Sequence, residues 1–169
     1  MNEKEFLEQY DGSKYESPSV TVDVSVFSLF SEPCTNYRKL PDIKLKLLLI
    51  KRGKYPYNGL NDLPGGFLKS SETLEDAAYR ELYEETGVNC NRLIQLRTFS
   101  EPKRDPRKRI ITCAYTALID STNLRLQSGT DAEQAKWFEI YLHRKEVNNE
   151  LIWNLILING DDRLEATIR

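Results

Sequence analysis

The sequence predicts a layered α/β or α+β fold, because segments with strand alternation are interleaved with segments of helical periodicity. The clearest strand is Ser19–Phe30, in which valine occupies every second position from residue 20 to residue 26. The clearest helix is Thr73–Thr86, which carries apolar and acidic side chains along one stripe. At 169 residues, the chain has the length of one domain with a buried hydrophobic core.

The other elements follow in chain order from their periodicity and from turn residues. A short helix is expected around Phe6 and Leu7, and a glycine- and proline-containing loop is expected over residues 53–66. Further strands are predicted at Ile43–Arg52, Leu93–Phe99, Ile110–Ile119 and Ala135–Tyr141. Apolar residues at positions 151, 152, 155, 156 and 158 predict a helix over Asn149–Ile158. We therefore expect a single domain over residues 1–169, with an N-terminal extension at 1–16 and a C-terminal helix and tail at 149–169.

Composition narrows the class of protein. The net charge is −2, so no overall positive field attracts nucleic acid. No apolar run reaches the roughly 18 residues of a membrane span, and the charged segment MNEKEFLEQY does not resemble a signal peptide. The three cysteines are far apart, and a single histidine excludes a histidine-rich metal site. These features predict a reduced, cytoplasmic protein that does not bind membranes.

The helix Thr73–Thr86 places carboxylates on the side that would normally pack inward. At about 100° per residue, Glu81 and Glu85 share a stripe with apolar residues, and Glu84 flanks that stripe. Like charges at i and i+4 repel by roughly a few tenths of a kcal/mol, and burial of unpaired carboxylates costs more. A hard cation such as Mg²⁺ or Mn²⁺ would remove both costs. A solvated acidic face is the alternative, which two tyrosines on the opposite side of the helix disfavour.

A glycine pair precedes this helix. Gly65 and Gly66 allow the backbone to adopt unusual angles and to approach a ligand closely. The carbonyl of Gly65 is a candidate to complete a metal shell, and Arg80 has the i, i+4 spacing to pair with Glu84. A plain glycine turn is the alternative interpretation, and the local pieces by themselves leave both open.

Nine residues of this segment fit one spaced motif. They are Gly66, Glu72, Arg80, Glu81, Leu82, Glu84, Glu85, Gly87 and Val88. The set resembles the Nudix box, G-x5-E-x7-R-E-U-x-E-E-x-G-U, where U is a bulky aliphatic residue. The strand pattern between residues 17 and 142, the LPGGF segment and the basic DPRKR segment resemble the ADP-ribose pyrophosphatase branch of that family. One departure is Asn61, where related sequences usually have tryptophan.

This resemblance implies a fold, an activity and partners. The fold is an α/β/α sandwich around a mixed sheet. The activity is Mg²⁺- or Mn²⁺-dependent hydrolysis of a nucleoside diphosphate linked to another group, and the favoured substrate is ADP-ribose, which gives AMP and ribose 5-phosphate. The implied partner is a small nucleotide, and the resemblance allows a homodimer. Nucleic acid and membranes are not expected partners.

The resemblance also assigns roles within the site. The implied metal ligands are Gly65, Glu81, Glu84 and Glu85. Arg80 orients these carboxylates, and Glu72 supports the loop or binds through water. The base that activates water is either a glutamate of the box, Glu84 or Glu85, or an acid on a later loop. Asp131 and Glu133 are the loop candidates, and a solvated turn is the alternative for each of them.

A basic segment follows the helix. Five cations occupy the seven positions from Lys103 to Arg109. Such a run most often forms a solvated hairpin tip, but arginine also binds phosphate well through bidentate contacts. By resemblance, the substrate-binding candidates are Arg52, Phe67, Arg107 and Arg109.

Three hypotheses about function follow. The first is an ADP-ribose hydrolase. The second is a hydrolase of a nucleotide sugar, a dinucleotide polyphosphate or an oxidised nucleoside triphosphate, because the box encodes diphosphate chemistry and not the leaving group. The third is a non-catalytic module that senses ADP-ribose within a regulator of NAD metabolism. The complete set of box carboxylates favours an enzyme over a pure sensor.

Overall fold

One mixed β-sheet organises the described residues between positions 19 and 168. The computed structural model describes residues 2–31, 38, 40–120, 126, 132–147 and 150–168. The strands are β1 (Ser19–Ser31), β2 (Ile43–Arg52), β3 (Asn61–Asp62), β4 (Gly65–Phe67), β5 (Ile94–Phe99), β6 (Ile110–Ile119), β7 (Ala132–Val147), β8 (Glu150–Asn159) and β9 (Asp162–Ile168). The helices are α1 (Glu3–Gln9) and α2 (Leu74–Thr86). The strand order is β5-β6-β1-β2-β7-β8-β9, with β3 beside β2 and β4 beside β1.

Strand β1 makes the sheet mixed and also divides it. It runs parallel to β6 over residues 19–28 and antiparallel to β2 and β4. Residues 27–31 of β1 pair with β2, whereas residues 21–23 pair with β4. Because β1 exchanges one partner for another along its length, β1 and β2 separate toward the start of β1. This separation leaves room for a cleft.

Helix α2 packs on one face of the sheet. Ala78 and Leu82 are fully buried against the valines at positions 22, 24 and 26, so the valine alternation supplies the core as predicted. A second apolar cluster forms around Phe138 with Leu49 and Leu157. Consecutive residues of a strand point to opposite faces, so this second cluster lies on the face away from α2. In the described residues, α1 buries none of its side chains.

Most predicted elements are confirmed. The α/β class with a mixed sheet is present, and β2 has the predicted bounds. The predicted strand Ala135–Tyr141 is longer in the structure, because β7 continues to Val147. The predicted loop over residues 53–66 also contains the short strand β3 and the start of β4.

The predicted C-terminal helix over Asn149–Ile158 is wrong, because β8 and then β9 form there. The apolar residues also fit a strand, since positions 153, 155 and 157 share one face and positions 152, 156 and 158 share the other. Isoleucine, which is frequent in this segment, favours strands. Gly160, with φ of 57°, and Asp161 form the two-residue connection between β8 and β9. Gly160, which would also fit the end of a helix, is therefore part of a hairpin turn.

Two other expectations concern membranes and cysteines. No helix in the described ranges is both long enough and apolar enough to span a membrane. Cys90 and Cys113 are free thiols. Cys34 lies outside the described residues.

Candidate active site

A cleft of about 660 Å³ lies where β1 and β2 separate. Thr21 and Asp23 of β1, Arg52 of β2 and the β4 segment Gly65–Phe67 contribute to its lining. The acidic part of the lining is formed by Glu81, Glu84 and Glu85. The cleft therefore joins the carboxylates predicted as metal ligands to polar residues of the sheet.

Helix α2 has a defined start and a defined end, and its glutamates differ in exposure. The Asp76 N–H donates to Oγ1 of Thr73 at 3.1 Å, and the Thr73 N–H donates to Asp76 Oδ2 at 3.1 Å, so a capping box begins the helix. Gly87 ends the helix in the left-handed conformation, with φ of 71°. Between these ends, Glu85 is buried at 8% exposure, whereas the Glu84 side chain is 50% exposed.

Arg80 binds three carboxylates at once. Its Nε donates to Glu72 Oε1 at 2.5 Å, and its Nη1 donates to Glu81 at 2.6 Å and to Glu84 at 3.1 Å. Its Nη2 also donates to the carbonyl of Phe67 at 3.2 Å. The hydrogen bond from Arg80 lowers the pKa of Glu72 to about 2, and the same pairing raises the pKa of Arg80. The predicted pair between Arg80 and Glu84 is thus one contact of a network that balances the acidic charge.

The glycine pair is required by close packing. The N–H of Gly65 donates to Glu85 Oε2 at 2.9 Å, which fixes the buried carboxylate. A Cβ on Gly65 would overlap the carbonyl oxygen of Val22, and a Cβ on Gly66 would overlap the carboxylate of Glu81. Strand β4 therefore passes between β1 and α2 with no room for a side chain at either glycine.

The oxygen donors at this end of the cleft fit a hard divalent cation. Three carboxylates and the backbone of Gly65 border one stretch of the lining, and Mg²⁺ and Mn²⁺ prefer such oxygen ligands. Within the described ranges, no three acidic, histidine or cysteine side chains already form a closed metal cluster. Glu81 and Glu84 instead pair with Arg80. Each of these bonds uses one carboxylate oxygen, Oε1 of Glu81 and Oε2 of Glu84, so the second oxygen of each would be the one to bind a cation.

Comparison with known proteins identifies this arrangement. The family model described as "NUDIX domain" matches residues 40–151, which is more than half of the chain and includes the glycine pair and all of α2. The chain belongs to the NUDIX domain family. Nudix hydrolases generally use divalent metal ions, in agreement with the oxygen donors that line this cleft.

Three known proteins show the extent of the similarity. The chain is 32% identical over 138 residues to an ADP-ribose pyrophosphatase of Methanocaldococcus jannaschii, covering 78% of this chain and 80% of that protein. It is 36% identical to the ADPR responsive transcriptional repressor NtrR of Acinetobacter baylyi, covering 80% of this chain and only half of the repressor. A solved NUDIX domain of Shewanella oneidensis NrtR, complexed with ADP ribose, is 32% identical and superposes with a TM-score of 0.66, covering 81% and 82% of the two chains.

The predicted substrate-binding residues of this Nudix domain divide into two groups. Arg52 lines the cleft and donates to Asp62 Oδ2 at 2.6 Å. Arg107 also lines the cleft, with its guanidinium 5.3 Å from the ring centroid of Phe67. Arg109 instead donates to a backbone carbonyl of the preceding loop and borders a separate surface pocket. The structure therefore brings three of the four predicted residues together in the Nudix cleft.

The two loop acids fall at the edge of the described chain. Asp131 lies outside the described residues. Glu133 belongs to β7, but its side chain is also outside the described part of the structure. The assignment of either residue as the catalytic base therefore stays a prediction.

Three further charged residues line the Nudix cleft without having been predicted from the sequence, namely Asp23, Asp62 and Arg104. Burial and, to a smaller extent, the nearby Asp62 raise the pKa of the Asp23 carboxyl to about 6, while Arg104 and Arg52 act in the opposite direction. The alternation of β1 does place Asp23 on the polar side of that strand. Nothing in the sequence showed that this side would form the floor of a cleft.

Proposed function

We propose that this chain hydrolyses ADP-ribose to AMP and ribose 5-phosphate in a reaction that requires Mg²⁺ or Mn²⁺. The observation that carries the proposal is that one cleft contains both the three α2 carboxylates and the pair of Phe67 with Arg107. The name of the Methanocaldococcus jannaschii relative, an ADP-ribose pyrophosphatase, supports the choice of substrate.

The acidic end of the cleft is the proposed metal site, with Gly65, Glu81, Glu84 and Glu85 as ligands. When bound, the divalent ion supplies neutralisation of the diphosphate charge and activation of water. The hydrogen bond from the Gly65 N–H holds the buried Glu85 carboxylate in a fixed orientation. Arg80 holds Glu81 and Glu84 near their working positions and limits their mutual repulsion.

Hydrolysis adds one water across the P–O–P bridge, so one proton of that water must pass to a base. Glu84 is the box carboxylate with half of its side chain open to solvent, which makes it accessible to water. Glu85 is bound on one side by the Gly65 N–H and is buried. We therefore favour Glu84 over Glu85 as the base within the box, and Asp131 and Glu133 are the alternatives on the loop.

The cleft lining around Phe67 offers a surface for a nucleobase. The Phe67 ring is 42% exposed and has the Arg107 guanidinium over it. Two hydrogen bonds from Arg107 to Asp105, at 3.0 and 2.8 Å, fix the plane of that guanidinium. A base that stacks on an aromatic or guanidinium plane gains roughly 1–3 kcal/mol. We propose that adenine binds at this pair and that Arg52 lies near the diphosphate.

Product analysis tests the proposal. Purified protein is incubated with Mg²⁺ and ADP-ribose, a nucleotide sugar, a dinucleotide polyphosphate or an oxidised nucleoside triphosphate, and products are separated by chromatography. We expect AMP and ribose 5-phosphate from ADP-ribose at least about tenfold faster than any product from the other compounds, and no turnover in EDTA. Faster cleavage of another compound would replace the substrate, and turnover in EDTA would contradict the metal requirement.

A sensor of ADP-ribose is the second candidate function. The observation that favours it is the 36% identity to the ADPR responsive repressor of Acinetobacter baylyi, of which this chain spans half. The two candidates differ in one measurement, namely whether bound ADP-ribose is recovered intact. Calorimetric binding of ADP-ribose with Mg²⁺ present and no AMP after prolonged incubation would support the sensor and contradict the hydrolase.

A further inference from the structure

Asp23 is a charged group of the cleft to which the proposed hydrolysis gives no role. It lies on β1 opposite Gly65 of β4, and it lines the cleft. Among the described residues, its carboxylate has no hydrogen bond and no ion pair, although Asp62, Arg104 and Arg52 influence it electrostatically. A carboxylate that loses water without gaining a partner is unfavourable. This position therefore points to a hydrogen bond supplied by a ligand.

The neighbours of Asp23 already have partners. Asp62 accepts from Arg52 at 2.6 Å and from the Leu63 N–H at 2.9 Å. Arg104 donates to the hydroxyl of Thr112. These bonds hold the surrounding side chains in place, whereas the Asp23 oxygens accept no hydrogen bond from the residues that the structure describes.

The pairing of β1 with β4 sets the order of residues along the cleft. Phe67 lies opposite Thr21, and Gly65 lies opposite Asp23, so the two ends are two strand residues apart, about 7 Å. The α2 carboxylates contact the glycines of β4, through Glu85 at Gly65 and Glu81 beside Gly66. Asp23 lies against Gly65, because its Oδ1 would be 2.8 Å from a Cβ placed there. A diphosphate held beside Gly66, with its base at Phe67, would therefore extend its other substituent to the end of the glycine pair where Asp23 lies.

The chemistry of the acceptor limits what that substituent can be. An ionised carboxylate accepts hydrogen bonds and donates none, so its best partner presents two donors side by side. The vicinal hydroxyls of a ribose do this, and a carboxylate that binds ribose hydroxyls is a known arrangement in nucleotide sites. The amino edge of adenine presents a donor beside an acceptor and fits less well, whereas guanine presents two donors.

We propose that Asp23 is a specificity-determining residue that accepts hydrogen bonds from vicinal hydroxyls of the sugar attached to the diphosphate. The inference rests on the proposed function for the position of the diphosphate. It adds that the site selects nucleoside diphosphates whose second substituent is a hydroxylated sugar.

Binding of uncleavable ligands tests this inference separately from hydrolysis. The probes are α,β-methylene ADP-ribose, in which CH₂ replaces the bridging oxygen, and α,β-methylene ADP, which lacks the sugar. Both are titrated by calorimetry in Mg²⁺ into the unaltered protein, into Asp23→Asn and into the control Asp162→Asn. Asp162 is a surface carboxylate that pairs with Lys136 at 3.0 Å and does not line the cleft, so its replacement removes one negative charge outside the site.

We expect Asp23→Asn to weaken binding of α,β-methylene ADP-ribose by about ten- to a hundredfold, the loss typical of hydrogen bonds to a charged group. Binding of α,β-methylene ADP should stay unchanged or become tighter, and Asp162→Asn should alter neither ligand. Equal weakening of both ligands would overturn the inference, because a general structural role predicts it. Tighter binding of α,β-methylene GDP than of α,β-methylene ADP, lost in Asp23→Asn, would also overturn it and assign Asp23 to a base.

The outcomes separate this inference from the proposed function. If the ligands behave as expected but ADP-ribose is not hydrolysed, the proposed function fails and the sugar contact stands. If ADP-ribose is hydrolysed and Asp23→Asn changes neither its KM nor the binding of the uncleavable analogue, the proposed function stands and the sugar contact fails. Absence of any binding of α,β-methylene ADP-ribose to the unaltered protein would contradict the inference directly.

Discussion

The cleft contains two acidic regions that are built in opposite ways. The α2 carboxylates come from one helix and carry their own counterion, because Arg80 pairs with Glu72, Glu81 and Glu84. Asp23 comes from the sheet, and no counterion pairs with it in the described residues. A set of carboxylates whose charge is already balanced by an arginine can stay ionised and ordered until a cation binds. A single unpaired carboxylate is costly without its ligand, which is typical of a group kept for recognition and not for stability.

Replacement of one helix carboxylate should have the largest effect on activity. Glu84→Gln and Glu85→Gln should each lower kcat/KM for ADP-ribose by more than about a hundredfold. A loss of about a hundredfold is the most that replacement of a residue supporting a metal ligand usually causes, so replacement of a direct ligand should cost more. The fold should persist, since glutamine retains an oxygen that can accept the Gly65 N–H at position 85. Steady-state kinetics and circular dichroism measure the two effects.

The matched control for this test is Glu75→Gln. Glu75 lies in the first turn of the same helix, is exposed, and does not belong to the cleft lining. Its replacement should leave kcat/KM within about twofold, in keeping with the small effects of most surface substitutions. If the control and Glu84→Gln lose activity equally, the helix carboxylates act through general charge and not as metal ligands.

Replacement of Arg80 should have the next largest effect. Arg80→Gln leaves Glu72, Glu81 and Glu84 without their shared donor, and we expect the Mg²⁺ concentration for half-maximal rate to rise about 10- to 100-fold. Arg80→Lys keeps the charge but loses the planar fork that reaches several carboxylates, so it should recover only part of the loss. Metal titrations of turnover measure both variants. Full recovery by lysine would show that charge alone matters.

The two glycines allow a sharper comparison within one strand. Gly65→Ala should lower the free energy of unfolding by about 1–3 kcal/mol, the usual cost of overpacking, because its Cβ meets the backbone carbonyl of Val22. Gly66→Ala should lower stability less, since its Cβ meets the movable carboxylate of Glu81, but it should weaken Mg²⁺ activation. Urea unfolding and metal titration separate the two effects. A larger stability loss at Gly66 would reverse the assignment.

The two acidic regions, the α2 carboxylates and Asp23, also differ in how far the sequence predicts them. The positions of Glu81, Glu84 and Glu85 depend on helical spacing alone, so local rules were sufficient. The role of Asp23 depends on β4 and β2 folding beside β1, and strand partners are not visible in a single sequence. Arg107 and Arg109 make the same point, because they are two residues apart, yet only Arg107 faces the cleft.

The error at the C-terminus has a different origin. The segment Glu150–Asn159 has apolar residues that satisfy helical and strand periodicity together, so the pattern alone does not decide between them. The deciding feature is the Gly160-Asp161 connection, which favours a two-residue hairpin. The same glycine also fits a helix stop, and pairing of β8 with both β7 and β9 settles the outcome in the folded chain.

The smallest predicted effect concerns the stability cost of Asp23 itself. Folding raises the pKa of Asp23 from 3.8 to about 6, chiefly through burial. Between these two pH values the native state therefore binds more protons than the unfolded state, so the free energy of unfolding falls as pH rises. The favourable contribution of the protonated carboxyl is fully present below about pH 4 and is lost as pH rises through 6. Asn at this position has no proton to lose, so Asp23→Asn should be more stable than the unaltered protein at pH 8.

We expect a gain of about 1–2 kcal/mol at pH 8, less than the full value of a two-unit shift because Asp23 is partly open to solvent. Urea unfolding in EDTA from pH 4 to pH 8 measures it, with Asp162→Asn as the surface control expected to stay within about 0.5 kcal/mol. The gain should appear between pH 4 and pH 6 and stay constant above. Two results would mean that Asp23 has a stabilising partner in the free protein: a variant that is less stable at pH 8, or a difference in unfolding free energy that does not change with pH. In either case the contrast with the neutralised helix carboxylates would disappear.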